Sequence, residues 1–167
     1  MEPNEALGIA AQVAVTLAGF AGIVVVFLPV SVHQWSPVDR YRLHLLLNNS
    51  IFPLAYSLFG ILLLTIKPPP NSIWQWCSAF AAVFQVPFAI ANFRTPRHFS
   101  PDEFKGVPKI LFYPLFAIGV CTVLLQLYNI AVLNRFWPFF AAIFVHLMAA
   151  LLQFARLVLA SPPRVIK

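Results

Sequence analysis

The chain has 167 residues, 60% of them hydrophobic and 10% charged, with a mean hydropathy of +0.83 and a formal net charge of +6. Soluble domains carry roughly 25% charged and 45–50% apolar residues, so a monomeric soluble fold and a disordered chain are both excluded. Two cysteines, Cys77 and Cys121, are too few for a disulfide scaffold.

The remaining class is an all-α, polytopic integral membrane protein. A helix crossing the hydrocarbon core needs about 20 mostly apolar residues. Five runs qualify, at about 6–30, 44–66, 73–92, 110–133 and 137–160. They make 1–167 a single transmembrane helical domain and leave no space for a soluble domain. The acidic start, Met1-Glu2-Pro3-Asn4-Glu5, lacks the positive region of a signal peptide, so the first run is expected to be retained.

The first run carries a face of small residues. Ala10, Ala14, Ala18 and Gly22 recur every four positions, and Gly19 widens the patch. Small residues let helix backbones approach closely in a membrane. Glu5, Gly8, Gln12, Thr16 and Gly19 form an adjoining polar-small stripe. The face reads as helix packing within one chain or as a seam between copies. A pore lining by Gln12 and Thr16 is the third reading.

Ser31–Leu43 reads as the first loop, with Pro37, Asp39, Arg40 and Arg42. The second run opens with His44 and Asn48-Asn49-Ser50, followed by Pro53. A proline removes one helical hydrogen bond, so Pro53 frees the carbonyl of Asn49. Lys67-Pro68-Pro69-Pro70 closes this run. The third run holds Gln75, Ser78, Gln85 and Pro87, enough polarity for a re-entrant segment as the alternative to a span. That alternative leaves four spans plus one re-entrant segment.

Phe93–Lys109 is the longest loop and carries Arg94, Arg97, His98, Asp102, Glu103, Lys105 and Lys109. With Arg40 and Arg42 it makes a basic collar, suited to anionic lipid or an anionic ligand. The basic residues sit at the ends of apolar runs rather than on a soluble face, so no nucleic-acid partner is expected. The stretch from Ile110 to Ala160 is too long for one span, and Asn134-Arg135 reads as a tight hairpin ahead of Pro138. The last run carries His146, Gln153 and Arg156. His146 and Gln153, seven apart, share a face. An ionisable side chain within a span is a functional candidate by default. Arg156, near the end, can snorkel to the surface. Trp35, Trp74, Trp76 and Trp137 lie at run ends, where an aromatic belt is expected.

Five spans place Arg40, Arg42, Arg94, Arg97, Lys105, Lys109, Arg156, Arg164 and Lys167 on one side and only Lys67 and Arg135 on the other. The richer side belongs in the cytoplasm, with the C-terminus there and the N-terminus outside. Arg outnumbers Lys, and Ala and Pro are abundant, which fits a GC-rich bacterial genome and an inner membrane. No G-x-S-x-G, H-E-x-x-H or C-x-x-C occurs, and no metal, cofactor or catalytic residue is assigned.

Three functions remain. The leading one is a non-enzymatic helix-packing subunit or scaffold in a homo- or hetero-oligomeric membrane complex. The second is a small channel or transporter with a polar path near Gln12, Asn48, Asn49, Gln85 and His146. The third is an enzyme acting on a lipid or isoprenoid phosphate with Arg94, Arg97, His98 and Asp102.

Overall fold

The computed structural model describes residues 1–27, 34–95 and 109–159. Those residues are predominantly helical and contain five helices long and apolar enough to cross a membrane. They are α1 (Pro3–Phe27), α2 (Pro37–Thr65), α3 (Ile73–Arg94), α4 (Lys109–Tyr128) and α5 (Phe136–Leu159). The third segment is one uninterrupted helix of 22 residues despite Pro87.

Seven residues assigned above to the first loop belong to α2, which starts at Pro37 rather than near His44. The cause is a local cap. The Ser36 hydroxyl accepts from the Asp39 N–H at 3.2 Å and donates to Asp39 Oδ2 at 2.7 Å. Pro37 supplies a preset helical φ at the first position, where no N–H is needed. Asp39 also holds Arg42 at 2.9 Å, which turns the charged stretch into a first helical turn.

α2 and α5 form the middle of the bundle. α1 lies against both on one side, and α3 and α4 close the other. The α1 seam is made by Leu7, Ala10, Ala14, Leu17 and Ala21, all buried at three- and four-residue spacing. Gly60 of α2 lets α1 and α5 come close: a Cβ there would stand 2.8 Å from Leu7 Cδ1 and 3.4 Å from Phe139 Cε1.

Below α4 the chain makes a five-residue π-helical turn, Asn129–Leu133, and reverses at Asn134, in the left-handed region with φ 45°. The hairpin is fastened from within. Asn129 accepts from the Arg135 N–H at 2.9 Å and donates to Ser78 Oγ at 2.7 Å. Asn134 accepts from the Gln75 N–H at 3.2 Å and donates to the Asn71 carbonyl at 2.7 Å. The tryptophans do not behave alike. Trp76 and Trp137 are exposed, as an aromatic belt requires, but Trp35 is fully buried within the protein.

Candidate functional site

The polar residues of the bundle interior are ordered in two tiers. α2 carries Arg42 and Asn49, α3 carries Asn92 and Gln85, and α5 carries Gln153 and His146. Each pair is seven residues apart and lines one cavity between α2, α3, α4 and α5. Seven residues are about two helical turns, so the members of a pair share a face roughly 10 Å apart along the axis. Two contacts fix the levels. Tyr41 Oη donates to Asn92 Oδ1 at 2.9 Å in the upper tier, and His146 joins Asn49 to Gln85 in the lower one.

The lower tier is a directed chain of hydrogen bonds. Asn49 Nδ2 donates to the Leu45 carbonyl at 2.7 Å, so its Oδ1 accepts from His146 Nδ1–H at 2.7 Å. His146 Nε2 then carries the lone pair and accepts from Gln85 Nε2 at 3.2 Å. This fixes a neutral imidazole with its proton on Nδ1. The ring is walled by Phe52 at 5.6 Å, Tyr56 at 5.9 Å and Phe88 at 6.2 Å between centroids. Beyond it lies an apolar core of Leu7, Tyr56, Ile73, Cys77, Ala81, Phe139 and Ile143. His146 is therefore the floor of the cavity rather than a point midway along a channel.

Between the tiers the walls are apolar: Leu45, Phe88, Leu115, Phe116, Val123 and Ala149. The cavity volume is about 130 Å³. Two of its lining glutamines each carry an oxygen that has no partner among the described residues and no accessible surface, so neither oxygen faces the open volume. Gln85 is 2% exposed and Gln153 8% exposed, and the side-chain oxygen of each is buried without a hydrogen bond. An unpaired buried amide oxygen costs about 1–3 kcal/mol. At the upper end Arg42 and Arg156 both line the same space. Arg42 is paired with Asp39, whereas Arg156 has no ion pair among the described residues.

Comparisons with known protein families, curated proteins and solved structures return no match. The site has to be read from its own chemistry. It offers one neutral imidazole, neutral amides, the hydroxyls of Tyr41 and Thr122, and two guanidiniums. Among the described residues no three His, Cys, Asp or Glu side chains converge as metal ligands.

The structure brings together Arg42, Asn49, Gln85, His146 and Gln153 from the residues singled out in the sequence. It separates the others. Gln12 and Thr16 sit on the outer face of α1, where Thr16 Oγ1 donates to the Gln12 carbonyl at 2.8 Å. The polar path drawn through Gln12 is thus not formed within one chain, because α1 lies on the far side of α2 and α5. Asn48 is half-buried and does not line the cavity. Ala10 and Ala14 are buried, Ala18 is half-buried, and Gly19 and Gly22 are exposed with nothing within 4 Å of a Cβ built on either. Arg40 and Arg94 are exposed. Lys109 opens α4. Arg97, His98, Asp102 and Lys105 lie outside the described residues, as do positions 28–30 and 160 of the expected spans.

Tyr41, Asn92 and Thr122 also line the cavity, and sequence reasoning passed over them. So does Arg156, read above as a snorkelling residue. The signal was available in spacing: Asn92 follows Gln85 by seven, and Arg156 follows Gln153 by three, one turn further along the same face.

Proposed function

We propose that this chain is an integral membrane protein that binds a small ligand in the cavity between α2, α3, α4 and α5. The observation that carries the reading is the two-tier polar lining, repeated at seven-residue spacing on three helices of an otherwise apolar bundle. Polar side chains that face a bundle interior mark binding sites and ion paths. The closed floor at His146 favours a binding site over a pore. Counting Lys and Arg at the helix ends orients the arginine tier toward the cytoplasm.

The test is native mass spectrometry of the protein extracted gently from its own membrane. A small-molecule adduct on the wild type, absent from Ala149→Phe, supports the reading. Ala149 stands on the cavity wall, and a benzyl group there fills the space between the tiers. A wild type without adduct, with a thermal midpoint equal to that of Ala149→Phe, overturns it.

One observation favours a second reading, the helix-packing subunit. Gln12 lies on the exposed face of α1, about 14 Å along the helix from Pro3, near the middle of a span. An amide left in hydrocarbon is costly, and an amide on a second helix satisfies it. The partner of that face is a second copy of the chain, and the same spectrum reports it as a homo-oligomer.

A further inference from the structure

We infer that the cavity takes a medium-chain carboxylate, its head held at the upper tier by Arg156, Gln153 Nε2 and Asn92 Nδ2 and its alkyl tail lying between the tiers. The inference rests on the ligand-binding reading above and names the chemistry of its ligand.

Three features select this class. The first is the sense of the open groups at the upper tier, which are donors. Gln153 is 8% exposed and its Oε1 is closed off, so the accessible end of the amide is Nε2, which has no hydrogen bond among the described residues. Asn92 turns Oδ1 to Tyr41, and its Nδ2 likewise keeps accessible surface and no partner among the described residues. Gln85 and His146 are level, and α3 and α5 run the same way from the hairpin end, so Asn92 and Gln153 stand at one height. Arg156 lies one turn above Gln153, and side chains lean toward the N-terminus of their helix, which carries its guanidinium down toward both amides. The second is charge. Arg42 is held by Asp39 and His146 is neutral, which leaves Arg156 as the lining cation without an ion pair among the described residues. One such cation calls for one negative charge, and a carboxylate accepts from a guanidinium through both oxygens. The third is what lies below. Asn49, His146 and Gln85 Nε2 are spent on one another, Thr122 on the Ile118 carbonyl, and Gln85 Oε1 has no accessible surface. The walls there are Leu45, Phe88, Leu115 and Val123, so they ask for hydrocarbon. A volume of about 130 Å³ is close to that of a cavity that admits benzene, or on the order of six to ten non-hydrogen atoms. Octanoate stands at the upper end of that range.

The experiment places the full chain in phosphatidylcholine nanodiscs and labels it with an octanoate carrying a diazirine near its tail end. The expected label falls on the cavity wall near Val123 and Ala149 rather than on the lipid-facing residues of α1 and α4, and Ala149→Phe abolishes it. Unmodified octanoate competes with the probe. Octanol and octylamine, of the same length but neutral and cationic, do not. Arg156→Gln weakens the competition by octanoate about ten-fold or more. Gln153→Leu weakens it by a smaller factor, since it removes a neutral donor. Arg156→Lys, which keeps the charge and loses the two-point grip, replaces Arg156→Gln if the latter does not elute as folded protein, and it too weakens binding.

Equal competition by octanoate and octanol overturns the inference, as does unchanged octanoate affinity in the folded Arg156 variant. Label confined to lipid-facing residues, which reports partition into the bilayer, also overturns it. A different adduct that Ala149→Phe expels overturns the ligand class and leaves the binding reading standing. A wild type with neither adduct nor cavity label removes both.

Discussion

Asn49 and His146, 97 residues apart in sequence, meet at 2.7 Å and couple the middle of α2 to the middle of α5. The contact leaves neither group free to pair elsewhere. Asn49 Nδ2 is committed to Leu45, and the other His146 nitrogen to Gln85. We predict that Asn49→Leu destabilises the bundle by leaving the Nδ1 proton without an acceptor. Replacing both partners, as in Asn49→Leu with His146→Leu, costs less than the two single changes added together. A double-mutant cycle in nanodiscs should return a coupling of about 0.6–1.7 kcal/mol, the range seen for such bonds between membrane helices. Strict additivity would mean that the hydrogen bond contributes nothing to stability.

Gly60 and Gly22 should respond differently to an added side chain. Gly60 is buried with Leu7 Cδ1 2.8 Å from where a Cβ would stand, whereas Gly22 faces open space. Alanine in place of glycine gains roughly 0.5–1 kcal/mol of helix propensity. Gly22→Ala should therefore stabilise slightly. Gly60→Ala should come out near neutral, because the end of the Leu7 side chain can move and that displacement offsets the gain. Gly60→Val has no such escape and should lose about 1–3 kcal/mol through overpacking. Unfolding of the three variants in mixed micelles checks the order.

Gly22→Leu and Gln12→Leu separate folding from assembly. Both residues lie on the outer face of α1, so a single bundle should keep its stability within about 0.5 kcal/mol. If copies of the chain meet on that face, Gly22→Leu blocks the close backbone approach and Gln12→Leu removes the cross-helix amide pair. Each then shifts the native mass toward the monomer. An oligomer that survives both changes would place the seam elsewhere.

The helices were legible because each is a long apolar run closed by proline, asparagine or charge, and the Asn134-Arg135 hairpin follows from a run too long for one span. The facing of the helices was not. In a membrane both the lipid side and the packed side are apolar, so hydropathy that finds a helix does not mark its inner face. Polar residues had to supply that information, and they point both ways. Gln12 and Gln85 look equivalent in sequence, yet Gln85 is buried beside His146 and Gln12 lies outside. What separates them is agreement between helices: Gln85 has a partner residue seven positions on, in a pattern that α2 and α5 repeat. The early start of α2 was written in Ser36-Pro37-Val38-Asp39 and hidden by the charges that follow it. The long-range bonds of Asn129 and Asn134 leave no local trace, because Ser78, Gln75 and Asn71 sit more than fifty residues away on α3 and the loop before it.

The hairpin between α4 and α5 yields the sharpest stability prediction. Asn134 does two separable jobs. Its backbone sits at φ 45°, a region that asparagine and glycine adopt readily and β-branched residues avoid. Its side chain ties the turn to Gln75 and Asn71. Asn134→Gly keeps the backbone conformation and removes the two side-chain bonds, so it should cost about 1–2 kcal/mol. Asn134→Val removes the same bonds and adds left-handed strain of about 1–3 kcal/mol, so it should cost roughly twice as much. Asn129→Leu, by contrast, leaves the turn conformation alone and deletes the bonds to Ser78 and to the Arg135 backbone, in a position with no exposure. The fully buried Ser78 hydroxyl and the Arg135 N–H then both lose their partner, and the loss should match or exceed that of Asn134→Val. If Asn134→Gly and Asn134→Val unfold together, the positive φ carries no strain and the turn is held by its side-chain bonds alone.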